Sequence, residues 1–228
     1  MNMCLISQNA SPGLTIFRKD FIRYLIDQGH QVYAFAIDYT VVSREIVSEF
    51  GAIPMDYSLN KSGLNIFADL NDTWLLSKQL KKIQPDIVFS FFIKPSVYGT
   101  LAAKLAKVPR RIAMLEGAGY MYTPSKNKLS FKKIILQYAH GLLISMGYAF
   151  ADKVLFLNPD DPVDLTKKSF INSKKFKVIG PIGLELSSYP YTEVVITKPI
   201  RFIFIARILA EKGIYEYLAA AQIVKLKY

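Results

Sequence analysis

The feature that most restricts this chain is an alternation. Short apolar runs recur along it, and helical stretches separate most of them. The runs are Met3–Ser7, Gln31–Ile37, Ala52–Tyr57, Pro85–Phe92, Arg111–Leu115, Lys153–Leu157 and Lys174–Gly180. Between them lie segments of helical period, such as Phe17, Phe21 and Leu25, with Arg18, Lys19, Arg23 and Asp27 at the other positions. That spacing predicts an amphipathic helix ending near Gly29. Longer helices are expected over about 64–83 and 129–150, and Pro95 suits the first turn of another. The run "PDIVFSFF" is apolar throughout, as a parallel strand covered on both faces should be. Strands separated by helices imply right-handed crossovers and an α/β, doubly wound, mostly parallel Rossmann-like sheet over residues 1–180.

Beyond that domain, Pro181, Pro190 and Pro199 with Gly180 and Gly183 mark 181–199 as a linker. Residues 200–228 restart the pattern, with Ile200–Ala206 expected as a buried strand and a helix after it. With 51% hydrophobic residues and a mean hydropathy of +0.21, the chain of 228 residues can fill a core. Its one cysteine, Cys4, excludes a disulfide framework and fits a reducing compartment. The longest apolar stretch, Ile134–Ala151, is interrupted by Gln137, His140 and Ser145 and is shorter than the ~20 residues a spanning helix needs. A buried or interfacial helix is expected there. The formal charge is +11, and 78–133 holds twelve Lys or Arg against two acids, Asp86 and Glu116. That excess reads either as a solvated face or as a surface for an anionic membrane or polyanion. No zinc spacing, RNP-like strand or basic reading helix argues for nucleic acid, and the two histidines do not suggest a metal site.

In an open α/β sheet, ligands bind beyond the carboxyl ends of the strands. Three loops fall there. In "SQNASPGLTIFRKD", Gly13 would let backbone approach a ligand and Arg18 enters the next helix; the alternative is an ordinary turn. The spacing is not G-x-G-x-x-G, so no dinucleotide fingerprint is present. In "LEGAGYMYT", Glu116 follows a strand, Gly117 and Gly119 remove bulk beside it, and Tyr120 and Tyr122 would stack on a sugar ring, unless they fold back onto the core. In "ARILAEKGIYE", Arg207 and Lys212 bracket a strand-to-helix turn. Two cations beside a helix N-terminus suit a diphosphate; pairing of Arg207 with Glu211 or Glu216 is the alternative.

The stretch "FIARILAEKGIYEYLAAA" resembles the one that opens the C-terminal domain of family-4 retaining glycosyltransferases, two-domain enzymes of GT-B fold. "FRKDFIRYLIDQGHQVYAFA" is similar to their first helix and second strand. "PDIVFSFFIKPSVYGTLAAKLAKVPRRIAMLEGAGYMYT" resembles acceptor-side loops of bacterial enzymes that build lipid-linked oligosaccharides and surface polysaccharides, and "LFLNPDD" is similar to a further family element. The resemblance implies that Arg207 and Lys212 hold the donor diphosphate and that the Gly13 loop faces it. It sets Arg18, Gly117, Gly119 and Tyr120 on the acceptor side, and Glu116 near the polar residue of the catalytic cleft. It implies a nucleotide sugar, in the first place a UDP-sugar, as donor; a lipid-linked or polysaccharide acceptor; no metal or other cofactor; and a cytoplasmic chain peripheral to the inner face of the plasma membrane.

The family's donor-side domain runs well past the position of Tyr228 and carries a paired-glutamate segment for the nucleotide sugar. The resemblance therefore implies an incomplete donor domain, and a chain inactive in sugar transfer as it stands. A domain that binds membrane or glycan acceptor without turnover is the rival reading. An epimerase or dehydrogenase is disfavoured by the missing glycine fingerprint.

Overall fold

The structure, a computed structural model, describes residues 1–60, 65–117, 131–166, 173–183, 185–193 and 198–227. Seven strands form one parallel sheet: β1 (Asn2–Ile6), β2 (Gln31–Ala36), β3 (Ile53–Asp56), β4 (Ile87–Phe91), β5 (Arg110–Leu115), β6 (Lys153–Phe156) and β7 (Phe176–Val178). Their order is β3-β2-β1-β4-β5-β6-β7, so the chain reverses direction across the sheet between β1 and β4. Cys4 of β1 lies opposite Tyr33 on one side and Val88 on the other. The doubly wound parallel sheet expected from the alternation is the architecture observed.

Each strand sends successive side chains to opposite faces, which divides the core in two. Cys4, Ile6, Phe35, Val88, Ala113 and Leu115 enter one cluster; Met3, Leu5, Ala34, Phe89, Phe91 and Met114 enter the other. Burying one such Phe or Leu contributes about 1.5–3 kcal/mol. The first cluster is covered by α3 (Ile66–Ile83), α4 (Ile93–Leu105) and α5 (Phe131–Ala149), which supply Leu76, Leu80, Val97, Ala102, Ile144 and Tyr148. The second takes Ile22 and Leu25 from α1 (Lys19–Asp27) and Val47 from α2 (Val41–Glu49). A short α6 (Asp160–Thr166) precedes β7.

Local chemistry sets the ends of these helices. α1 stops where Gly29 takes φ +75, its amide donating to the Ile26 carbonyl while that of His30 donates to Leu25. Asn65 caps α3 by accepting from the Ala68 amide. Asn158 accepts from the amides of Asp160 and Asp161 and so opens α6. Helices α4 and α5 cross closely at Gly147, where a Cβ would come within 2.7 Å of the Val97 backbone. Tyr148 and Ser96 hydroxyls join the same two helices at 2.9 Å.

Three expectations are corrected. The helix α2 was not foreseen. The inward stripe of α1 is Ile22 and Leu25, whereas Phe17 precedes the helix and is 45% exposed. Residues 200–206 form no strand: the segment pairs with no other among the described residues, and Ile200, Phe202, Ile203 and Ile205 are exposed. An apolar run becomes a strand only where a neighbouring strand takes its N–H and C=O groups.

The chain divides into two units, Met1–Leu184 and Glu185–Tyr228. The second holds α7 (Ile214–Lys227) and short 3-10 turns, and none of its described residues is buried.

Candidate functional site

The loop after β1 is held by its own backbone. The Leu14 and Thr15 amides both donate to the Ala10 carbonyl, and those of Ile16 and Phe17 donate to Pro12. The Ala10 amide in turn donates to Asp38 Oδ1 at 2.7 Å, tying the loop to the end of β2. Gly13 sits inside this knot. A Cβ there would lie 2.4 Å from the Asn9 carbonyl oxygen and 2.6 Å from Ser7 Oγ, so the loop's own folding demands glycine. The close approach at Gly13 is to its neighbours in the chain.

This loop delivers Arg18 to the carboxyl edge of the sheet. Arg18 is only 5% exposed. Its guanidinium lies 4.3 Å from the ring centroid of Phe91, at the end of β4, and Nη1 donates to the Phe17 carbonyl at 3.0 Å. Nη2 forms an ion pair with Oε1 of Glu116, the residue that follows β5 and is itself nearly buried. Burial pushes the Arg18 guanidinium down to about 10, which leaves it charged at neutral pH. The ends of β4 and β5 and the start of α1 thus converge on one buried pair. Gly117 follows in the left-handed region at φ +96 with open space around it. Gly119 and Tyr120, like Tyr122, lie outside the described residues.

Arg18 also borders a cavity of about 340 Å³, whose walls include Phe17, Phe21, Phe89, Leu155 and Leu157. One wall is charged and the rest are apolar, a composition typical of ligand sites.

A second buried pair was missed. Just past β4, Phe92 adopts φ 68 and ψ 170, a region that costs a non-glycine residue on the order of 1–3 kcal/mol. The turn brings Lys94 inward. Its Nζ lies 2.8 Å from Asp69 Oδ2 and donates to the Asn60 carbonyl at 3.0 Å; the Asp69 side chain is 1% exposed. The signal was present in "FFIKPS", a cation directly after a buried parallel strand, at the same edge that singled out Glu116.

In the second unit, Arg207 lies on the extended segment and Lys212 ends the 3-10 turn Ala210–Lys212; both are exposed. Gly213, at φ 80, links that turn to α7. The amides of Lys212 and Gly213 donate to the Leu209 and Ala210 carbonyls. The first turn of α7 follows, where Glu216 also lies. Among the described residues, no group of three or more His, Cys, Asp or Glu side chains is placed to hold a metal ion.

The doubly wound sheet, with a buried charged pair where its strands end, defines a Rossmann-like α/β domain. Residues 3–158 match the family described as Glycosyl transferase 4-like, and the chain belongs to that family. A curated relative from Campylobacter jejuni is 27% identical over 96% of this chain: N,N'-diacetylbacillosaminyl-diphospho-undecaprenol alpha-1,3-N-acetylgalactosaminyltransferase. The chain spans 60% of that relative's length. Among solved structures, Anabaena HepE in complex with UDP and glucose superposes with a TM-score of 0.56 at 12% identity, over 84% of this chain and 47% of the other. The UDP-GlcNAc 2-epimerase of Neisseria meningitidis, bound to UDP-GlcNAc, gives 0.52 at 15% identity, over 80% and 47%. These likenesses show the fold, shared by transferases and epimerases alike.

Proposed function

We propose that this chain is the acceptor half, with the opening of the donor half, of a retaining glycosyltransferase. It would move a sugar from a nucleotide sugar, in the first place a UDP-sugar, to a lipid-linked or polysaccharide acceptor at the cytoplasmic face of the membrane. The observation that carries the reading is the Arg18–Glu116 pair at the carboxyl edge of the sheet, inside the region matched to the family. The relative from Campylobacter, whose name specifies a diphospho-undecaprenol acceptor, supports the lipid-linked class.

In this reading Glu116 faces the acceptor hydroxyl and Arg18 holds the carboxylate in place. Gly117, Gly119 and Tyr120 line the acceptor sugar, and the loop fixed by Gly13 borders the donor. As the bond between sugar and diphosphate breaks, charge grows on the leaving oxygen. Arg207, Lys212 and the first-turn amides of α7 would stabilise it without a metal.

The exposure of the second unit favours binding without turnover by these 228 residues alone. A diphosphate held by two solvated cations is held weakly. Calorimetric titration tests this. The chain should bind a polyprenyl-diphosphate glycan, lose that binding on Glu116→Gln, and show no micromolar affinity for UDP-sugars. Micromolar donor binding, or any transfer of sugar, would overturn the acceptor-half reading, as would failure to bind the glycan.

A further inference from the structure

The last turns of α3 carry a polar stripe that core packing does not explain. Leu75, Lys78, Gln79 and Lys82 recur at i, i+3, i+4 and i+7 and so share one side of the helix. The chain leaving β3 runs back along that helix. Gln79 Nε2 donates to the Asp56 carbonyl at 3.1 Å, Ser58 Oγ to Asp72 Oδ1 at 2.6 Å, and Lys94, paired with Asp69, to the Asn60 carbonyl at 3.0 Å. Between this segment and the stripe lies a cavity of about 290 Å³, lined by Tyr57, Ser58, Leu75, Leu76, Lys78, Gln79 and Lys82. It shares no lining residue with the cavity beside Arg18. Tyr57 and Leu76 of this cavity belong to one core cluster, and Phe89, Phe91 and Met114 of the other cavity belong to the second, so the two lie on opposite faces of the sheet.

Two features of the cavity call for a ligand. The first is Gln79 Oε1, which is buried and has no hydrogen-bond partner. The orientation of the amide is set by its neighbour: the Asp56 carbonyl is an acceptor and requires the Nε2 donor, so a flipped amide would set two acceptors face to face. A buried acceptor is a cost to the fold until a donor meets it. The second feature is charge. Lys78 and Lys82 are both exposed and stand one turn apart, a spacing at which like charges oppose the helix. An anion between them removes that repulsion. None of the lining residues is acidic. The acids close by are engaged: Asp56 forms an ion pair with Arg44 at 2.6 Å, and Asp72 takes the Ser58 hydroxyl. Leu75 and Leu76 add an aliphatic wall. An acceptor without a donor, two cations one turn apart and an aliphatic wall match a small polyol that carries a phosphate monoester. The volume stands at the lower end for ligand pockets, which suits a single sugar phosphate and is small for a nucleotide sugar.

We propose that the crevice between α3 and the segment after β3 binds a small hydroxylated phosphate monoester of the sugar-phosphate class, a hydroxyl donating to Gln79 Oε1 and the phosphate held between Lys78 and Lys82. The site is separate from the Arg18–Glu116 pair, and the inference does not depend on the acceptor reading. Occupancy would brace against α3 the stretch from Asp56 to Asn60, which Lys94 holds at its far end.

Trp74 is the only tryptophan in the chain, and Lys78 Nζ lies 3.4 Å from its ring centroid, so drawing that ammonium onto a phosphate changes Trp74 emission. The test titrates the 228-residue chain with glucose 6-phosphate and glycerol 3-phosphate, and in parallel with glucose and inorganic phosphate. At least one phosphorylated polyol should give a saturable change in Trp74 emission, matched by calorimetry, with an affinity about tenfold above that of inorganic phosphate. Glucose should give none. Gln79→Met deletes the acceptor and keeps an unbranched chain of similar length. It should lower the affinity for the polyol about tenfold, to that of inorganic phosphate, and leave phosphate binding as it was. Lys82→Gln, at an exposed position, should weaken both ligands. Both variants should keep the wild-type circular dichroism spectrum; if Gln79→Met does not, the ratio of polyol to phosphate affinity in the wild type and the loss in Lys82→Gln still decide. Inorganic phosphate binding as tightly as the polyols would mean an adventitious ion only and would overturn the proposal. So would the absence of a saturable response to either polyol below about 10 mM, or a response that folded Gln79→Met or Lys82→Gln leaves unchanged.

Discussion

Replacing Glu116 by Gln isolates the energetics of the buried pair. The substitution keeps shape and removes one charge, so the guanidinium of Arg18 stays inside the protein without its counter-ion. Breaking a buried pair from one side costs about 3–5 kcal/mol. Two contacts remain to offset part of this: the Phe91 ring beneath the guanidinium, worth up to about 2 kcal/mol when desolvated, and the Phe17 carbonyl. The expectation is therefore the lower end, about 3 kcal/mol, which in a chain of this size lowers Tm by about 6–12 °C. Thermal denaturation followed by far-ultraviolet circular dichroism measures it. The double variant Arg18→Met/Glu116→Gln should recover most of the loss, because no uncompensated charge is left and the cavity wall is already apolar. A single variant within about 1 kcal/mol of wild type, or a double variant worse than the single, would refute the reasoning.

Lys94→Met should cost about 3–5 kcal/mol by stranding Asp69, read from the urea midpoint, and Lys94→Met/Asp69→Leu should regain much of it. Gly147→Ala should destabilise by about 1–3 kcal/mol, since the added methyl meets the Val97 backbone; its urea midpoint should fall at unchanged slope. Burial raises the Cys4 thiol from 9.0 to about 12, so between those pH values the unfolded chain gives up a proton that the folded chain keeps. Stability from this group therefore falls with pH above 9.0, by about 1.4 kcal/mol per unit, and Cys4→Ala should flatten that slope in urea titrations at pH 8 to 11. The native thiol, fully buried, should also resist a disulfide reagent until the protein is unfolded.

The parts of the fold that were legible are those with a local period. β4 announced itself because both its faces are buried, and α3 and α5 because their apolar positions recur over many turns. α2 was missed for a local reason. Its capping box pairs Thr40 with Ser43, not with the Glu or Gln that advertises the motif, and Val41 and Val42 point to solvent and blur the stripe. The strand expected at 200–206 failed for a non-local one, because a strand needs a partner the run itself cannot supply. At the site, the rule that ligand groups follow strand ends picked out Glu116 but was not applied to Lys94. Arg18 was read both as the polar side of an amphipathic helix and, from the resemblance, as an acceptor-side residue; only the tertiary fold shows it buried on Phe91 and against Glu116. Pairings between residues almost a hundred positions apart leave no trace in periodicity.

The central position of β1 bears on how the chain comes into being. The first strand made lies between β2 and β4, and the Asn2 amide closes on Asp86, 84 residues later. During synthesis the β1–β2 ribbon must wait, with the Met3 and Leu5 side uncovered by α1 or α2 at first and the edge facing β4 unpaired, until residues near Ile87 have left the ribosome. At ~5–20 residues per second that interval lasts several seconds, during which a hydrophobic edge is open to other chains. A nascent-chain aggregation hazard is thus built into the strand order, concentrated on the first 90 or so residues, and shortened by whatever speeds translation from β2 to β4.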